Sequence, residues 1–406
     1  MKPGDSVVVF CMDQRGHTKR LTPVVSGLSL AGIHVHVFTS QRFSKDIVEA
    51  GGLYIDLYDG RRLDEADPSS TPNPCRYVSF AGYYAEQILS DVAALKPSLV
   101  LHDGFAVIGQ VVAQALGIPR VNICAGHNRE PQAALKALID DPIVNISENC
   151  RNAVKTLRDK YGIKNASPFS YITAISKDLN VYCEPPQYLS EDQREPFEPI
   201  AFFGSLSENA ISRPPSGSSL YCKHAGVKQR IFVSMGTLIW RHYEATARNL
   251  LEAIREATEG LPEYSVLVSL GGAAAGNWVR RLEASNFRVE LYVDQWSVLS
   301  TSTVFITHQG LNSTHEAVFH RVPMISYPFL ADQPAMAKCC QDMGIAVPLS
   351  VELRGIVSAD DVLSALLKVD ERRNAMLERL SEARQWELDV IARRGDVIRR
   401  IMDLVP

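Results

Sequence analysis

The sequence lacks several features that would place it in common classes of protein. Its eight cysteines are scattered without C-x-x-C spacing, so free thiols in a reducing cytoplasm are expected rather than a disulfide framework. No apolar run approaches the ~20 residues of a membrane-spanning helix. The net charge of -4 provides no bulk basic surface for a nucleic acid. These absences predict a cytoplasmic protein without a transmembrane segment or a nucleic-acid partner.

Two motifs that would indicate other enzymes are also missing. No D-x-D triplet occurs in the chain, so metal-assisted stabilisation of a leaving group is not indicated. The first predicted strand is not followed by G-x-G-x-x-G, and the glycine run that begins at Gly271 is a poor match in the wrong half of the chain. We therefore expect neither a bound metal nor a nicotinamide cofactor.

The chain does contain a repeated alternation of strands and helices. It begins with the apolar segment at residues 6–12 and starts again with residues 230–235. At 406 residues the chain exceeds the usual size of a single core, and the alternation implies parallel sheets with helices on both faces. The predicted fold class is α/β, with two doubly wound domains.

A stretch rich in Pro, Gly and Ser separates the two halves. Residues 204–230 include Pro-Pro and Ser-Gly-Ser-Ser, a composition typical of a linker. We predict an N-terminal domain over residues 1–212, a linker over 213–229 and a C-terminal domain over 230–384, with a final helix over about 385–406 that packs back on the first domain.

The most informative stretch, residues 305–337, reads FITHQGLNSTHEAVFHRVPMISYPFLADQPAMA. A strand ends at Thr307 and a helix begins near Gly310. The unpaired N–H groups of a first helical turn form an anion site. The Asn-Ser-Thr sequence at 312–314 adds side-chain donors to that turn, and His308 lies just before it. This pattern predicts a phosphate-binding turn.

Three further side chains near this turn suit a sugar. Glu316 lies one turn into the helix, and because phosphates would repel it, we expect it to point towards hydroxyls such as those of a ribose. Asp332 and Gln333 follow the next strand, where an acid beside an amide can bind vicinal sugar hydroxyls. Each residue alone is more often a helix cap than a ligand, but the joint pattern favours a nucleotide-sugar site.

Residues 294–337 resemble the donor-binding motif of the UDP-dependent glycosyltransferases of the GT-B fold, the family of plant secondary-product and bacterial macrolide glycosyltransferases. The resemblance implies two Rossmann-like domains that face a cleft, with a UDP-sugar as co-substrate. The residues that it assigns to the donor are Gly236, Thr237, Tyr292, Gln295, His308, Gly310, Asn312, Ser313, Thr314, Glu316, Asp332 and Gln333.

The resemblance also implies what parts of this set contact. Gln295 matches the residue that contacts uracil. Tyr292 stands where the family often has a stacking Trp, and Trp296 is the alternative. His308 and the turn at 312–314 match the diphosphate-binding positions.

Other positions refine or depart from the family pattern. Glu316 matches the acid that holds the ribose hydroxyls, and it favours UDP over dTDP because the deoxysugar subset usually lacks this acid. Arg321 stands where a Gly usually precedes V-P, Met336 replaces an Asn, and Arg20 replaces a Pro.

The N-terminal half contains a candidate general base. Gly16-His17 lies at the first strand-to-helix turn and resembles the G-H-x-x-P opening of the family, whose His is the base. Asp103 ends a later strand and resembles the Asp that pairs with this base in the macrolide subgroup. A His titrates near neutrality, and an Asp on its other nitrogen fixes the tautomer. We therefore predict that His17 and Asp103 are catalytic, and that His102 faces the opposite way and is structural.

The sequence thus predicts an inverting glycosyltransferase that moves a sugar from a UDP-sugar to a hydroxyl, or another nucleophile, of a small lipophilic acceptor such as a polyketide, macrolide or phenol. A UDP-sugar epimerase or hydrolase on the same fold and a non-catalytic nucleotide-sugar-binding partner are the alternatives. A silent partner would be expected to have lost His17 or Asp103. The acceptor itself is not specified, because the resemblance is weak over residues 126–200.

Overall fold

The computed structural model describes residues 1–405 with the exception of residues 125, 128–130, 141, 143, 214–219, 223–225 and 274–275. The chain divides into two compact units, one of Met1–Glu208 with Val390–Pro406 and one of Asn209–Asp389. Much of the predicted linker, residues 214–219 and 223–225, lies outside the described residues.

The first unit is built around one parallel sheet. Its strands are β1 (Ser6–Phe10), β2 (His34–Thr39), β3 (Leu53–Asp56), β4 (Leu99–Asp103), β5 (Arg120–Cys124), β6 (Leu179–Tyr182) and β7 (Ile200–Phe202). Its helices are α1 (Arg15–Leu30), α2 (Ser44–Glu49), α3 (Leu63–Ala66), α4 (Cys75–Ala93), α5 (Val107–Leu116), α6 (Pro131–Ile139), α7 (Glu148–Asp159) and α8 (Glu191–Arg194).

The strand order of this sheet identifies its ligand-binding edge. Over the described residues the order is β3-β2-β1-β4-β5-β6-β7, and the neighbouring strands are parallel. The chain moves outwards from β1 to β3 and then returns to the other side of β1 with β4. The order therefore reverses between β1 and β4, and open α/β sheets bind ligands at the carboxyl ends of the strands beside such a switch point.

Strand β1 shows why the sheet is covered on both faces. Val7 and Val9 pack into one apolar cluster with residues of α1, whereas Val8 and Phe10 pack into another with residues of α4 and α5. Successive side chains of a strand point to opposite faces. An unbroken apolar run is therefore what a strand buried on both faces requires.

The second unit is built in the same way. Its strands are β8 (Gln229–Ser234), β9 (Tyr264–Ser269), β10 (Phe287–Glu290), β11 (Val304–Thr307), β12 (Met324–Ser326) and β13 (Ala346–Pro348). Its helices are α9 (Glu208–Ile211), α10 (Ile239–His242), α11 (Glu244–Thr258), α12 (Val279–Leu282), α13 (Gln295–Leu299), α14 (Leu311–His320), α15 (Gln333–Asp342) and α16 (Ala359–Ala392). The last helix, α17 (Arg394–Met402), belongs to the first unit.

The second sheet has its own switch point. In the described part of the chain its order is β10-β9-β8-β11-β12-β13, again parallel. The order reverses between β8 and β11, so the segments that follow these two strands occupy the ligand-binding edge. The predicted doubly wound α/β class is confirmed for both halves.

Strands β3, β6 and β7, together with helix α4, had not been predicted from the sequence. All eight cysteines are free thiols. Among the described residues, no helix has both the length and the apolar character to cross a bilayer, and no cluster of three His, Cys, Asp or Glu side chains suits a metal ion.

Candidate active site

In the first unit, a histidine and a carboxylate meet across the switch point between β1 and β4. His17 lies in the first turn of α1, and Asp103 is the last residue of β4. Nδ1 of His17 is 3.3 Å from Oδ1 of Asp103, although the alignment falls short of a good hydrogen bond. Catalytic hydrogen bonds are often loose in the absence of substrate. The carboxylate is thus placed where it can orient the imidazole.

The Asp103 carboxylate is fixed by its surroundings. Oδ2 accepts a hydrogen bond of 2.8 Å from the N–H of Met12, and Oδ1 accepts one of 2.8 Å from the N–H of Phe105. Burial alone would raise the pKa of Asp103, but His17 and these two N–H groups outweigh burial and lower the pKa. Asp103 is therefore an anion near neutral pH, which is the form that stabilises an imidazolium.

The His17 ring is more accessible than its partner. The His17 side chain is 19% exposed and the Asp103 side chain 1%. The ring packs against Phe105, with the two centroids 4.9 Å apart, and Phe105 contacts Tyr171 edge-on. Because Nδ1 lies beside the carboxylate, Nε2 is the nitrogen that His17 offers to a substrate proton.

His102, the neighbouring histidine on β4, has a structural place. It is fully buried; its Nδ1 lies 2.9 Å from the Asp103 carbonyl oxygen and its Nε2 lies 3.0 Å from the Arg120 guanidinium. Burial and the Arg120 charge lower the pKa of His102 to about 3, so the ring is neutral. A Cβ added to Gly109 would lie 2.4 Å from the His102 Cβ, which shows how closely α5 packs here. These contacts are the ones expected of a structural residue, the role predicted for His102.

In the second unit, glycines surround a histidine at the switch point between β8 and β11. His308 follows β11, and Gly236 follows β8. A Cβ added to Gly236 would lie 2.8 Å from Nε2 of His308, and one added to Gly310 would lie 2.4 Å from it. A Cβ on Gly271, which follows β9, would lie 2.6 Å from the Gly236 carbonyl oxygen. Such close approach of backbone to ring explains why glycines occupy these positions.

The environment of His308 keeps its ring uncharged. Burial lowers the pKa of His308 to about 4, and the Ser234 backbone and the Asp332 carboxylate only partly oppose this effect. The ring is therefore neutral near pH 7. A neutral imidazole still donates one hydrogen bond, so His308 can serve a phosphate as a donor without carrying a full charge.

Helix α14 places its N-terminus at the same edge. Gly310 is the N-cap, and the Thr314 N–H donates to the Gly310 carbonyl at 3.0 Å. The N–H groups of residues 311–313 therefore have no acceptor within the helix and carry the positive end of its dipole. The Thr314 hydroxyl is fully buried and also donates to the Gly310 carbonyl. Thr314 thus stabilises the turn from within.

Gln309 is a residue of this turn that the sequence pattern did not indicate. Its φ is +60°, in the left-handed region that residues other than glycine rarely adopt. Its buried amide donates to the Thr314 hydroxyl at 3.2 Å, and its carbonyl oxygen accepts from the Ser326 hydroxyl at 2.8 Å. These bonds tie the turn between His308 and Gly310 to β12.

Three predicted donor-binding side chains are connected to one another. The Gln295 amide donates to Glu316 at 2.8 Å and to the Ser313 hydroxyl at 3.2 Å. Because both amide hydrogens are then used, the carbonyl oxygen of Gln295 is the group that it can offer to an N–H of a base. The start of α13 is thereby joined to α14.

The structure distinguishes the two candidate stacking residues. Trp296 is buried against Phe319 and His320, with ring centroids 4.9 and 4.5 Å away. Tyr292 is 62% exposed. Of the two, Tyr292 is the residue with a ring face available to a ligand.

Asp332 and Gln333 lie where β12 leads into α15. The Gln333 carbonyl oxygen accepts hydrogen bonds from the N–H groups of Phe329 and Leu330, at 2.9 and 3.2 Å. The amide NH2 of Gln333 is therefore the part that it can offer to a sugar hydroxyl. Asp332 is half-buried, and Thr237, which follows β8, is exposed.

Comparison with known proteins supports the resemblance seen in the sequence. Residues 186–384 match the model of the family described as UDP-glucoronosyl and UDP-glucosyl transferase. The predicted resemblance to the UDP-dependent glycosyltransferases is confirmed over these residues. An uncharacterized UDP-glucosyltransferase of Bacillus subtilis, YdhE, is 23% identical over 90% of this chain and 89% of its own length. Zeaxanthin glucosyltransferase of Pantoea ananas is 24% identical over 69% of this chain and 67% of its own length.

Solved structures extend the similarity in fold to the whole chain. The glycotransferase of kitacinnamycin superposes with a TM-score of 0.76 at 20% identity, and the match covers 99% of this glycosyltransferase and 100% of that chain. CalG4, the calicheamicin glycosyltransferase, has a TM-score of 0.72 at 19% identity, with the same coverage. The predicted GT-B fold and the predicted enzyme class are confirmed.

Proposed function

We propose that this glycosyltransferase moves a sugar from a UDP-sugar to a hydroxyl of a small lipophilic acceptor, with inversion at the anomeric carbon. The observation that supports this proposal best is the pair formed by His17 and Asp103, 3.3 Å apart at the switch point of the first sheet. A histidine backed by a buried carboxylate is suited to remove a hydroxyl proton near neutral pH.

In the proposed reaction, Nε2 of His17 accepts the hydroxyl proton while the acceptor oxygen forms a bond to the anomeric carbon. The bond from that carbon to the β-phosphate oxygen breaks, and UDP leaves with the electron pair. The N-terminus of α14 and the neutral N–H donor of His308 stabilise the developing charge on the phosphate. Because these donors take the place of a cation, we propose a reaction that needs neither metal nor cofactor.

The donor is proposed to be a UDP-sugar in preference to a dTDP-sugar. The Glu316 carboxylate, held by Gln295 at 2.8 Å, suits a ribose with both hydroxyls free. Hydrogen bonds to charged groups contribute about 1.5–3 kcal/mol, so Glu316→Ala should weaken UDP binding by about tenfold or more. Isothermal titration of UDP and dTDP measures both points. Equal affinity of the wild type for the two nucleotides would exclude this preference.

The acceptor is proposed to be lipophilic because apolar and aromatic side chains lie beside the catalytic pair. Met12, whose N–H binds Asp103, lies next to Phe80 and the rings of Tyr58 and Tyr77. The space between these side chains, about 10 Å³, is too small for a group of an acceptor. The apolar character of this neighbourhood, and not a pocket, is therefore what supports a lipophilic acceptor. The names of the zeaxanthin and calicheamicin glycosyltransferases support acceptors of this kind.

A cytoplasmic location is part of the same proposal. None of the eight cysteines forms a disulfide; six of them are buried and two are half-buried. Free thiols are typical of proteins in a reducing compartment.

The function is tested by a product assay. The enzyme is incubated with a panel of UDP-sugars and a library of lipophilic alcohols and phenols, with and without EDTA, and the products are examined by mass spectrometry. Glycosylated acceptor in the presence of EDTA is expected. Epimerised UDP-sugar without acceptor would favour the epimerase. Activity lost in EDTA and restored by magnesium or manganese would overturn the proposed metal independence.

A further inference from the structure

Helix α14 contacts α16 through a fully buried histidine–glutamate pair. Nδ1 of His315 and Oε1 of Glu387 are in hydrogen-bond contact, and both side chains are 0% exposed. The other carboxylate oxygen of Glu387 is buried without a hydrogen-bond partner among the described residues. Burying such groups is costly, and apolar side chains of similar volume often pack as well or better. A contribution to stability alone therefore does not explain why this pair is present.

The pair lies close to the donor-binding residues of α14. His315 directly precedes Glu316, which accepts the hydrogen bond from Gln295. One turn further along α14, Phe319 packs under the Arg384 guanidinium of α16 at 4.8 Å. Two successive turns of α14 are thus held to α16, one by Glu387 and the next by Arg384.

We propose that His315 and Glu387 position helix α14 for the nucleotide. The N–H groups of residues 311–313 and the Glu316 carboxylate belong to this one helix, so a shift or rotation of α14 displaces all of them together. Hydrogen bonds weaken steeply with changes in distance and angle, and a binding site tolerates displacements of only about 0.5 Å. The pair acts through α14 and touches no substrate. The inference rests on the donor site proposed above.

The decisive variant replaces both members, His315→Leu together with Glu387→Leu. Single removal leaves an unpaired buried group, whereas two leucines restore an apolar contact. We expect the double variant to fold, as measured by urea unfolding, and to bind UDP about tenfold more weakly by calorimetry. The KM for the donor should rise, and the KM for the acceptor should not. A folded double variant that binds UDP within about twofold of the wild type would overturn the proposal.

If the double variant does not fold, the conservative variant His315→Asn provides a second test. The amide of His315→Asn can place an N–H donor near the position of imidazole Nδ1 and so retain the bond to Glu387. We expect the folded fraction of His315→Asn to bind UDP more tightly than that of His315→Leu. Equal UDP affinity of these two variants would contradict a positioning role.

The first unit offers a matched control. Nδ1 of His127 lies 2.9 Å from Oε2 of Glu184, and both side chains are buried. His127→Leu with Glu184→Leu should change stability and leave UDP affinity unaltered, because this pair belongs to the first unit and the proposed donor residues belong to the second. An equal loss of UDP affinity in the control variant would mean that removing any buried pair weakens UDP binding, and it would overturn the positioning role of His315 and Glu387. A wild type that binds no UDP would instead refute the donor site itself, as would a Glu316→Ala variant with unchanged affinity.

Discussion

The two units place a strand–helix segment at corresponding positions beside a switch point, and the two segments carry opposite electrostatic features. In the first unit β4 ends at Asp103, an anion fixed by two backbone N–H groups. In the second unit β11 leads through His308 to Gly310 and the positive end of α14. A negative group suits a base that must become a cation, and a positive helix end suits a phosphate. Topology thus fixes where a site forms, and a few neighbours fix its charge.

His17 and His308, which lie near the two switch points, also differ in their surroundings. His17 is partly exposed, with a carboxylate oxygen 3.3 Å from Nδ1. His308 is enclosed by Gly236 and Gly310, and burial lowers its pKa to about 4. One ring thus lies beside an anion, and the other is buried and neutral.

The largest effect is expected at the base. His17→Ala should lower the single-turnover rate by ~10²–10⁴-fold, the usual contribution of general acid–base catalysis. UDP-sugar binding should be nearly unchanged, because the predicted donor residues belong to the second unit. A melting curve recorded beside the rate separates chemistry from stability. A folded His17→Ala enzyme with a near-normal rate would refute the role of His17 and leave it as a residue of the first helical turn.

The partner of the base should show a smaller effect of the same kind. Asp103→Ala leaves His17 present but without its orienting carboxylate, so the rate should fall by less than in His17→Ala. The double variant should be little slower than His17→Ala alone, because residues that act as a unit are not additive. Rate losses that simply multiply in the double variant would mean that the two residues act independently.

Gly236 and Gly310 approach the His308 ring so closely that an added methyl group does not fit. Gly310→Ala would place a Cβ 2.4 Å from Nε2 of His308, which must shift the ring or the start of α14. UDP binding should weaken by about tenfold to a hundredfold, since two sets of phosphate donors move together. Gly395→Ala is the matched control, because its Cβ would approach only the tip of Arg399, at 3.8 Å. Normal UDP affinity in Gly310→Ala would show that the close contact does not matter for the donor.

Mildly acidic pH should lower the stability of the protein because His308 is buried in its neutral form. The pKa of His308 is lowered to about 4, whereas an unfolded histidine titrates near 6.5. Between these values the unfolded chain binds a proton that the folded chain does not, so the free energy of unfolding falls as the pH falls. From pH 7.5 to 5, His308 should account for a loss of about 2 kcal/mol.

Urea unfolding of the wild type and of His308→Asn at both pH values checks this contribution. The variant should lose less stability between the two pH values, because it lacks the titrating ring. His102, with a pKa of about 3, adds a similar slope in both proteins. The lowered pKa of Asp103 acts at still lower pH and does not enter this window. Equal slopes in the two proteins would contradict a buried neutral His308.

Much of the fold could be predicted because its strands are apolar runs between helices of regular period. The strands that escaped prediction are short or polar inside. β7 has three residues, and β6 contains Asn180, which is fully buried and bonded to the carbonyls of Ser176 and Phe197. A buried amide with tertiary partners looks like a loop residue in the sequence, since those partners lie elsewhere in the chain.

The candidate site shows the same division between pattern and context. The histidines, the acids and the glycines could be chosen from the predicted strand ends and helix starts together with the resemblance to the family motif. The left-handed φ of Gln309 and the buried hydroxyl of Thr314 could not, because the sequence pattern shows neither a backbone angle nor the bonds that the Gln309 side chain makes to Thr314 and to Ser326 of β12. Likewise, the choice between Tyr292 and Trp296 depends on burial against α14.

The smallest effect is expected at the C-terminal ends of α5 and α14. Helix α5 ends at Gly117 with φ +64°, whereas α14 ends at Arg321 with φ +56°, both left-handed. A residue other than glycine pays about 1–2 kcal/mol there, and the flexibility of glycine in the unfolded chain offsets about 0.4–1 kcal/mol of any gain. Because the Arg321 side chain is exposed, Arg321→Gly should raise the free energy of urea unfolding by about 0.5–1 kcal/mol.

Arg354 is the control for this prediction. Its φ is +58°, but its guanidinium donates to the Phe329 carbonyl at 2.6 Å and lies over the Tyr243 ring. Arg354→Gly should therefore lower stability, and a loss in both variants would show that the side chain of Arg321 contributes more than its backbone costs.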